Sequence, residues 1–286
     1  MRIARFAADG DPRYGVVELA EDGGQHPETV AALTGDPLAG PVQLTGVRHE
    51  LAAVRLLAPV IPRSKVVGVG RNFAAHAAEL GNEVPGDPLI FLKPNTSVIG
   101  PEDQVVHPPT TELLSYEGEL AVVIGRICRE VPASRAADVI FGYTIANDVT
   151  ARDLQKSDGQ WARAKGYDTF CPLGPWMVTH LTLEEAGDLQ ITTTLDGEVK
   201  QDGSTSLMVH PIPALIEWVT SFTTLLPGDV ILTGTPAGVG RMQPGQEVSV
   251  TIAGIGTLTN TVASADAVGP ATDAGPGTDT SEEDPA

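Results

Sequence analysis

Lysine, cysteine and aromatic residues are scarce in this chain of 286 residues, and each shortage limits what the protein can do. The two cysteines, Cys128 and Cys171, form no C-x-x-C pair, which excludes a disulfide framework and a zinc site and predicts two buried free thiols. Only 18 residues are basic, and the net charge is −19. Without the six acidic residues of 266–286 it would still be −13. Sequence-independent nucleic-acid binding, which needs a basic surface, is therefore excluded.

Long apolar runs and common catalytic motifs are also missing. No apolar run approaches the roughly 18 residues of a membrane span, and the first residues contain acidic side chains where a secretory signal would be apolar. We therefore expect a cytoplasmic protein that does not bind membranes. G-V-G-R-N-F at 68–73 has a phenylalanine in place of the third glycine of a dinucleotide fingerprint. The chain has no G-x-S-x-G element.

Strand patterns outnumber helical ones and do not alternate with them, which favours an α+β, β-rich fold. We expect three regions: a small β-rich unit over 1–60, a catalytic domain over 61–265 and a disordered acidic tail over 266–286. L-D-G-E at 195–198 is typical of a hairpin turn. A short helix around His76 should end at Gly81, and a longer amphipathic helix should span 212–223.

Three carboxylates form the first candidate site. Glu117 and Glu119 are two residues apart at the start of an apolar strand, so their side chains project from one face. Asp148 follows a second apolar strand. Three clustered carboxylates repel one another unless a cation lies among them, and an all-oxygen set favours Mg²⁺, Mn²⁺ or Ca²⁺ over Zn²⁺. The alternative is two solvated glutamates and an ordinary turn aspartate.

Three other groups are candidates for binding or proton transfer. His76 and Glu79 share a helix face and could form a general base with its orienting carboxylate, or a plain surface pair. A basic stretch from 152 to 165 would suit an anionic substrate, or is simply a charged loop. The glycine-rich loop at 234–240 could offer Thr235 to a carboxylate, or is only a tight turn. The basic residues of that stretch are Arg152, Lys156, Arg163 and Lys165, with Gln155, Gln160 and Trp161 among them.

Six motifs in order carry a resemblance to a known family over residues 64–262. They are G-V-G-R-N-F-A-A-H-A-A-E-L, I-F-L-K-P-N-T-S-V-I-G-P, Y-E-G-E-L-A-V-V-I-G, G-Y-T-I-A-N-D-V-T-A-R-D-L-Q, A-K-G-Y-D-T-F-C-P-L-G-P-W and L-P-G-D-V-I-L-T-G-T-P-A-G-V-G. Together they resemble the fumarylacetoacetate hydrolase superfamily, and most closely its short bacterial members. Those members are called acylpyruvate or fumarylpyruvate hydrolases, hydroxyheptadienedioate isomerases, or oxaloacetate decarboxylases.

The resemblance implies a mixed β-roll with a few flanking helices, normally a homodimer, and a set of residue roles. Glu117, Glu119 and Asp148 would bind Mg²⁺ or Mn²⁺, while Lys165 would contact the substrate. The His76–Glu79 pair would lie on a lid that begins at Arg71. Substrate-binding roles would fall to Arg152, Gln155 and Thr235. Phe73 departs from the tyrosine that relatives often have.

The expected activity is metal-dependent hydrolysis of a C–C bond in small 2-oxo acids of the acylpyruvate or fumarylpyruvate type, through a stabilised enolate. The alternatives are isomerisation of 2-hydroxyhepta-2,4-diene-1,7-dioate in aromatic-compound catabolism, and decarboxylation of oxaloacetate. A small 2-oxo acid or dicarboxylate is the expected ligand in each case. An idle ligand-binding protein is a further alternative, which the full set of candidate residues disfavours.

Overall fold

The computed structural model describes residues 1–8, 10–20 and 27–267. All but the first two residues of the predicted acidic tail lie outside the described residues. Within them the chain forms twenty strands, five α-helices and five short 3₁₀ helices. Every helix in these ranges is too short or too polar to traverse a bilayer.

Strands dominate the order of elements along the chain. The strands are β1 (Arg2–Ala8), β2 (Asp11–Glu18), β3 (Thr29–Leu33), β4 (Leu44–Glu50), β5 (Arg55–Leu57), β6 (Val66–Gly70), β7 (Leu89–Lys93), β8 (Val98–Ile99), β9 (Gln104–His107), β10 (Leu114–Tyr116), β11 (Gly118–Ile124), β12 (Ile140–Asn147), β13 (Thr150–Ala151), β14 (Cys171–Val178), β15 (Gln190–Leu195), β16 (Glu198–Ser204), β17 (Val230–Leu232), β18 (Gly240–Arg241), β19 (Glu247–Ile252) and β20 (Gly256–Ser264). The α-helices are α1 (Ala74–Glu79), α2 (Arg152–Asp158), α3 (Ala162–Gly166), α4 (Leu183–Ala186) and α5 (Ile212–Phe222). The 3₁₀ helices are Leu51–Ala53, Asn95–Ser97, Ala133–Val139, Thr205–Leu207 and Ala265–Ala267.

One large mixed sheet organises the molecule. Its main path runs β4-β3-β2-β1-β14-β12-β11-β17-β6-β7, with β5 added beside β1 and β8 beside β14. Neighbours are antiparallel except for β17 with β6 and β14 with β8. A five-stranded sheet, β16-β15-β19-β20-β9, packs on the centre of the large sheet through β15 and β19, and a small sheet joins β13, β10 and β18. The predicted α+β, β-rich fold is confirmed.

The central strand β11 is buried on both faces, as the apolar run from Leu120 to Ile124 requires. Leu120 and Val122 pack into the core that includes α5 and the five-stranded sheet. Ala121 and Val123 point the other way, into a second core cluster. The strand that leads out of the candidate metal site is therefore fixed from both sides.

Several local predictions hold. The β15–β16 hairpin turns at Asp196 and Gly197, both with positive φ. Helix α1 is followed by Gly81 at φ +69°, the left-handed conformation that ends helices. Both cysteines are free and buried.

Other expectations were wrong in part. The basic stretch from 152 to 165 forms the helices α2 and α3 instead of a loop. The helix predicted over 212–223 ends one residue earlier, at Phe222, whose side chain is 53% exposed. Strand β1, in the predicted first unit, pairs with β14 of the large sheet.

Candidate active site and metal centre

The three predicted metal ligands meet at one point of the large sheet. Glu117 occupies the one-residue gap between β10 and β11, Glu119 lies on β11, and Asp148 follows β12. Antiparallel pairing of β11 with β12 places Gly118 opposite Asn147, so the two glutamates and the aspartate converge. One carboxylate oxygen from each lies within 4.8 Å of the others, and all three side chains are buried. The alternative of solvated glutamates is wrong.

Three cationic side chains hold two of these carboxylates. Lys165 Nζ donates to Glu117 Oε2 at 2.7 Å and to Asp148 Oδ2 at 2.5 Å. Lys93 Nζ donates to the other oxygen of Asp148 at 2.5 Å. The guanidinium of Arg152 donates to Glu117 Oε1. Both lysines are almost completely buried, so these are desolvated ion pairs whose loss on one side would leave a buried charge unpaired.

Glu119 differs from its neighbours, because no lysine or arginine within the described ranges pairs with it. Its Oε2 accepts a hydrogen bond from the backbone N–H of Gly234 at 2.7 Å. Burial, together with the adjacent charges of Asp148 and Glu117, raises the pKa of Glu119 well above its ordinary value. Burial opposes ionisation of Glu117 too, but Arg152 and Lys165 outweigh it and hold the pKa of that carboxyl below its usual range.

The donor set fits a hard divalent cation. All three groups offer oxygen, with no histidine nitrogen or cysteine sulfur among them, which is the ligand preference of Mg²⁺, Mn²⁺ and Ca²⁺. The ammonium of Lys165 already bridges Glu117 and Asp148, which shows that this point attracts positive charge. A cation there would also give Glu119 the partner that it lacks.

The opposite wall of the site begins where two parallel strands end. Strand β6 leads into Arg71 and helix α1, and β17 leads into the glycine-rich loop 233–239. Because parallel strands have their carboxyl ends at the same edge, these two segments emerge side by side. The buried Asn72 joins them: its Nδ2 donates to the carbonyl oxygen of Thr233 at 2.7 Å.

The predicted dyad is present on helix α1. His76 Nδ1 lies 3.4 Å from Glu79 Oε2, and the imidazole is nearly buried and lines the cleft. Burial lowers the pKa of His76 below its ordinary value, so the ring is neutral at neutral pH. Glu79 also accepts from the backbone N–H of Gly238 at 3.1 Å, which attaches the end of α1 to the glycine-rich loop.

Thr235 lies in that loop with its hydroxyl already engaged. The Oγ1 atom donates to the carbonyl oxygen of Gly118 at 2.9 Å and accepts from Gln201 Nε2 at 2.7 Å. It nevertheless lines the cleft, close to the carboxylates. The alternative of a simple tight turn does not account for these contacts, because the loop binds Glu119, Gly118 and Glu79.

A cleft of about 760 Å³ opens above these groups. Of the candidate residues named from the sequence it is lined by ten: Arg71, His76, Glu117, Glu119, Arg152, Gln155, Lys156, Trp161, Lys165 and Thr235. Gln155 accepts a hydrogen bond from Arg152 at 3.0 Å. Arg163 does not join the site, because it is exposed and paired with Asp158 at 2.6 Å, and Gln160 is exposed as well.

The glycines of G-V-G-R-N-F make room for aromatic rings. A Cβ on Gly68 would come within 2.1 Å of the Phe91 ring, and one on Gly70 within 2.5 Å of the Trp161 ring. Trp161 in turn lies under the guanidinium of Arg71, 6.0 Å from the ring centre. The motif therefore shapes the cleft wall.

Three residues of the site were missed by reasoning from the sequence: Lys93, Gln201 and Arg241, which lines the cleft. Lys93, at the end of β7, holds Asp148, and its signal was a lysine closing the apolar run L-I-F-L-K in a chain poor in lysine. Gln201 lies on β16 of the other sheet, and nothing in its neighbourhood in the sequence singles it out.

Comparison with known proteins gives a consistent family assignment. Residues 65–263 match the family model "Fumarylacetoacetate (FAA) hydrolase C-terminal", and residues 1–59 match "Rv2993c-like, N-terminal". The chain is 53% identical to Protein Rv2993c of Mycobacterium tuberculosis over 92% of this chain and 98% of that protein. It is 42% identical to oxaloacetate tautomerase YisK of Bacillus subtilis over 77% of each chain. Among solved structures, a 5-carboxymethyl-2-hydroxymuconate delta-isomerase from Mycobacterium smegmatis is 50% identical, with a TM-score of 0.83 over 92% of this chain and 100% of that one.

Proposed function

The chain belongs to the fumarylacetoacetate hydrolase family of enzymes, and on that premise we propose that it interconverts tautomers or isomers of small 2-oxo acids through an enolate. The observation that carries the proposal is the meeting of three buried carboxylates, a buried bridging lysine and a neutral histidine around one cleft. That set can stabilise negative charge on a substrate oxygen and move one proton on carbon, which is all that the reaction requires.

The carboxylates of Glu117, Glu119 and Asp148 would hold Mg²⁺ or Mn²⁺. When bound, such a cation supplies Lewis-acid stabilisation of negative charge at the 2-oxo group. Lys165 adds a fixed positive group: although burial disfavours its charged form, Asp148 and Glu117 raise its pKa, so it stays protonated at neutral pH. Lys93 keeps Asp148 in place from the other side.

His76 is the proton carrier in this proposal. With Nδ1–H directed to Glu79, its Nε2 is left free to accept a proton from the carbon next to the keto group. The C–H electron pair becomes the enol double bond, and the keto oxygen takes the negative charge. The same nitrogen then returns the proton to oxygen, or to another carbon of a conjugated substrate.

Three cationic residues favour substrates with a second negative group. Arg71, Lys156 and Arg241 line the cleft, and within the described ranges none of them is paired with a carboxylate. In a chain with a net charge of −19, such a concentration of unpaired positive charge is unusual. We therefore expect dicarboxylates such as oxaloacetate to be preferred over acetylpyruvate.

Hydrolysis of an acylpyruvate or fumarylpyruvate, the activity expected from the sequence, is the second candidate. It is favoured by the His76–Glu79 pair, because a histidine oriented by a carboxylate can deprotonate water for attack on the distal carbonyl. The name of the family supports it, while the isomerase and tautomerase names of the similar proteins support proton transfer. Decarboxylation of oxaloacetate would break a C–C bond to release CO₂ and leave the enolate of pyruvate, with no attacking water.

Product analysis separates the candidates. The Mg²⁺-loaded protein is incubated separately with oxaloacetate, fumarylpyruvate and acetylpyruvate. In each reaction the enol absorbance, the pyruvate formed and the CO₂ released are measured. EDTA and the Glu119→Gln variant serve as controls. The proposal predicts a metal-dependent change of enol absorbance above the spontaneous rate, without pyruvate. Pyruvate with fumarate would establish hydrolysis in its place, and pyruvate with CO₂ decarboxylation. No metal-dependent change with any of the three would overturn the proposal.

A further inference from the structure

We infer that Gln201 is a positioning residue. It fixes Glu117 and Glu119 relative to Thr235, the threonine that lines the cleft. The inference rests on the proposed function for what the site binds, but the contacts that carry it are independent of which reaction occurs. Gln201 lies on β16, in the five-stranded sheet, whereas Glu117, Glu119 and Thr235 belong to the large sheet and its connecting loop.

Each polar atom of the Gln201 amide has a partner in the site. Its Oε1 accepts from the backbone N–H of Gly118 at 3.0 Å. Its Nε2 donates to Thr235 Oγ1 at 2.7 Å and to the carbonyl oxygen of Pro236 at 2.8 Å. The orientation of the amide is fixed by these partners, since one is an N–H and another a carbonyl. The side chain is fully buried, so water does not compete for these bonds.

The position of Gly118 makes the first of these bonds important. Gly118 is the residue between the two glutamates, so its peptide unit sets the direction in which both side chains leave the backbone. There is no space at this point for anything larger: a Cβ would lie 2.2 Å from Thr193 Oγ1 and 2.9 Å from Val250 Cγ1. The five-stranded sheet thus packs directly against the backbone between Glu117 and Glu119. Gln201 is the residue of that sheet whose side chain hydrogen-bonds this backbone.

Strand β16, which carries Gln201, also packs against the glycine-rich loop. A Cβ on Gly238 would lie 2.0 Å from the carbonyl oxygen of Lys200, and one on Gly203 would lie 2.8 Å from Pro236 Cβ. Strand β16 therefore forms the back support of the loop that carries Thr235. The Gln201 side chain hydrogen-bonds both this loop and Gly118 of β11. The loop and β11 therefore cannot shift independently while the amide is in place.

No other side chain of similar size makes all three bonds. Methionine has similar length and no amide, and would leave the Gly118 N–H and the Pro236 carbonyl buried without partners. Glutamate keeps an acceptor for Gly118, but its second oxygen, when ionised, faces the Pro236 carbonyl without a proton to donate. Gln201→Met therefore removes the contacts with both Gly118 and the loop, whereas Gln201→Glu removes only the bond donated to the loop.

The test compares Gln201→Met, Gln201→Glu and Gln190→Met with the wild type. Gln190, exposed on the neighbouring strand β15, is the matched control for loss of a glutamine from this sheet. Three quantities are measured at pH 8: the Kd for Mn²⁺ by EPR, KM and kcat for the best 2-oxo acid, and the melting temperature. Mn²⁺ binding is a readout that does not depend on turnover.

We expect Gln201→Met to weaken Mn²⁺ binding and to raise KM, each by about tenfold or more, as loss of a supporting contact to a ligand typically does. Gln201→Glu should recover Mn²⁺ affinity but retain the raised KM, and Gln190→Met should change neither. A lower melting temperature with Kd and KM both within twofold of wild type would reduce Gln201 to a structural role and overturn the inference. A change in only one of the two quantities in Gln201→Met would overturn the claim that it joins them.

Two precautions keep the test decisive. If Gln201→Met does not fold, Gln201→Glu alone decides: unchanged KM in that variant contradicts the inference. If the wild type turns over no 2-oxo acid, the proposed function fails, and oxalate binding to the Mn²⁺-loaded protein replaces KM in the same comparison. Failure of the function and failure of the inference are thus distinguishable.

Discussion

The two walls of the cleft are built in opposite ways. The carboxylate floor, formed by Glu117, Glu119 and Asp148, lies on central strands that are buried on both faces and is bonded to buried lysines at 2.5–2.7 Å. The predicted lid, helix α1, is six residues long, has no side-chain cap at its start, and carries Glu79 at 35% exposure with a 3.4 Å contact to His76. Hydrogen bonds attach its two ends to the glycine-rich loop and to the residue before it, from Asn72 to Thr233 and from Gly238 to Glu79.

The difference shows how the chemistry is divided. In the proposed reaction, charge stabilisation needs groups that do not reorganise, and it falls to buried, ion-paired side chains. Proton transfer needs a group that reaches the bound substrate, and it falls to His76 on the short, uncapped helix α1. Substitutions that change one wall at a time should therefore have separable effects, and the largest should come from the floor.

Glu119→Gln should remove activity and cation binding while leaving the metal-free fold intact. We expect turnover to fall by about a thousandfold or more, because Lewis-acid stabilisation contributes several kcal/mol. The amide oxygen can still accept from Gly234 N–H, so the metal-free variant should melt no lower than the wild type. Activity assays and melting curves with and without Mn²⁺ test this, with Glu184→Gln as an exposed control. Full turnover with metal present would remove Glu119 from the metal site.

His76→Ala should act on the lid alone. Loss of the proton carrier is expected to lower kcat by about 10²–10⁴-fold. The Kd for Mn²⁺ should stay unchanged, since the imidazole makes no hydrogen bond to the carboxylate floor within the described ranges. Exposed His180 provides the control substitution. Near-normal turnover in His76→Ala would exclude the dyad from the mechanism, and a large loss of Mn²⁺ affinity would contradict the division between the two walls.

The pH dependence of stability sharpens the view of the floor. Because the pKa of Glu119 is raised in the folded protein, its contribution to stability is fully present below the ordinary value of 4.5 and is lost as the pH rises toward the folded value. In EDTA, the melting temperature of the wild type should therefore decline relative to that of Glu119→Gln between pH 4.5 and neutral pH. Saturating Mn²⁺ should reverse the difference. If the melting temperatures of the wild type and of Glu119→Gln changed in parallel across this pH range, folding would not disfavour the ionised form of Glu119.

The smallest effect should come from Arg163→Ala. Arg163 is exposed, and within the described ranges its carboxylate partner is Asp158, so water and salt screen the pair. We expect activity and Mn²⁺ affinity within twofold of wild type, whereas Arg152→Ala should weaken Mn²⁺ binding through Glu117. Equal losses in both variants would mean that the basic stretch acts as one diffuse charge.

The sequence was sufficient for features that depend on near neighbours. The spacing of Glu117 and Glu119, the turn at Asp196 and Gly197, and the end of α1 at Gly81 follow from local geometry. The proximity of Asp148 could be anticipated only because one apolar strand follows the glutamates and a second one leads into Asp148.

Features that depend on distant contacts could not be predicted from one sequence. Lys93 reaches Asp148 across 55 residues, and Gln201 approaches Gly118 from a different sheet across 83. Helices α2 and α3 have no side-chain cap to mark their starts, which is why their charges suggested a loop. Arg152 and Arg163 are near in sequence, yet only Arg152 enters the site, because the two lie on different helices.

The parallel pairing of β6 with β17 has a consequence for how the protein acquires activity. It brings together segments such as Asn72 and Thr233 that are 161 residues apart, one of the costliest loop closures in the chain. During synthesis, the lid leaves the ribosome long before the loop to which it attaches. Because the backbone N–H of Gly234 bonds Glu119, we expect tight Mn²⁺ binding at the proposed site to appear only in the last phase of refolding. Mn²⁺ binding would then indicate that the region over 61–265 has finished folding.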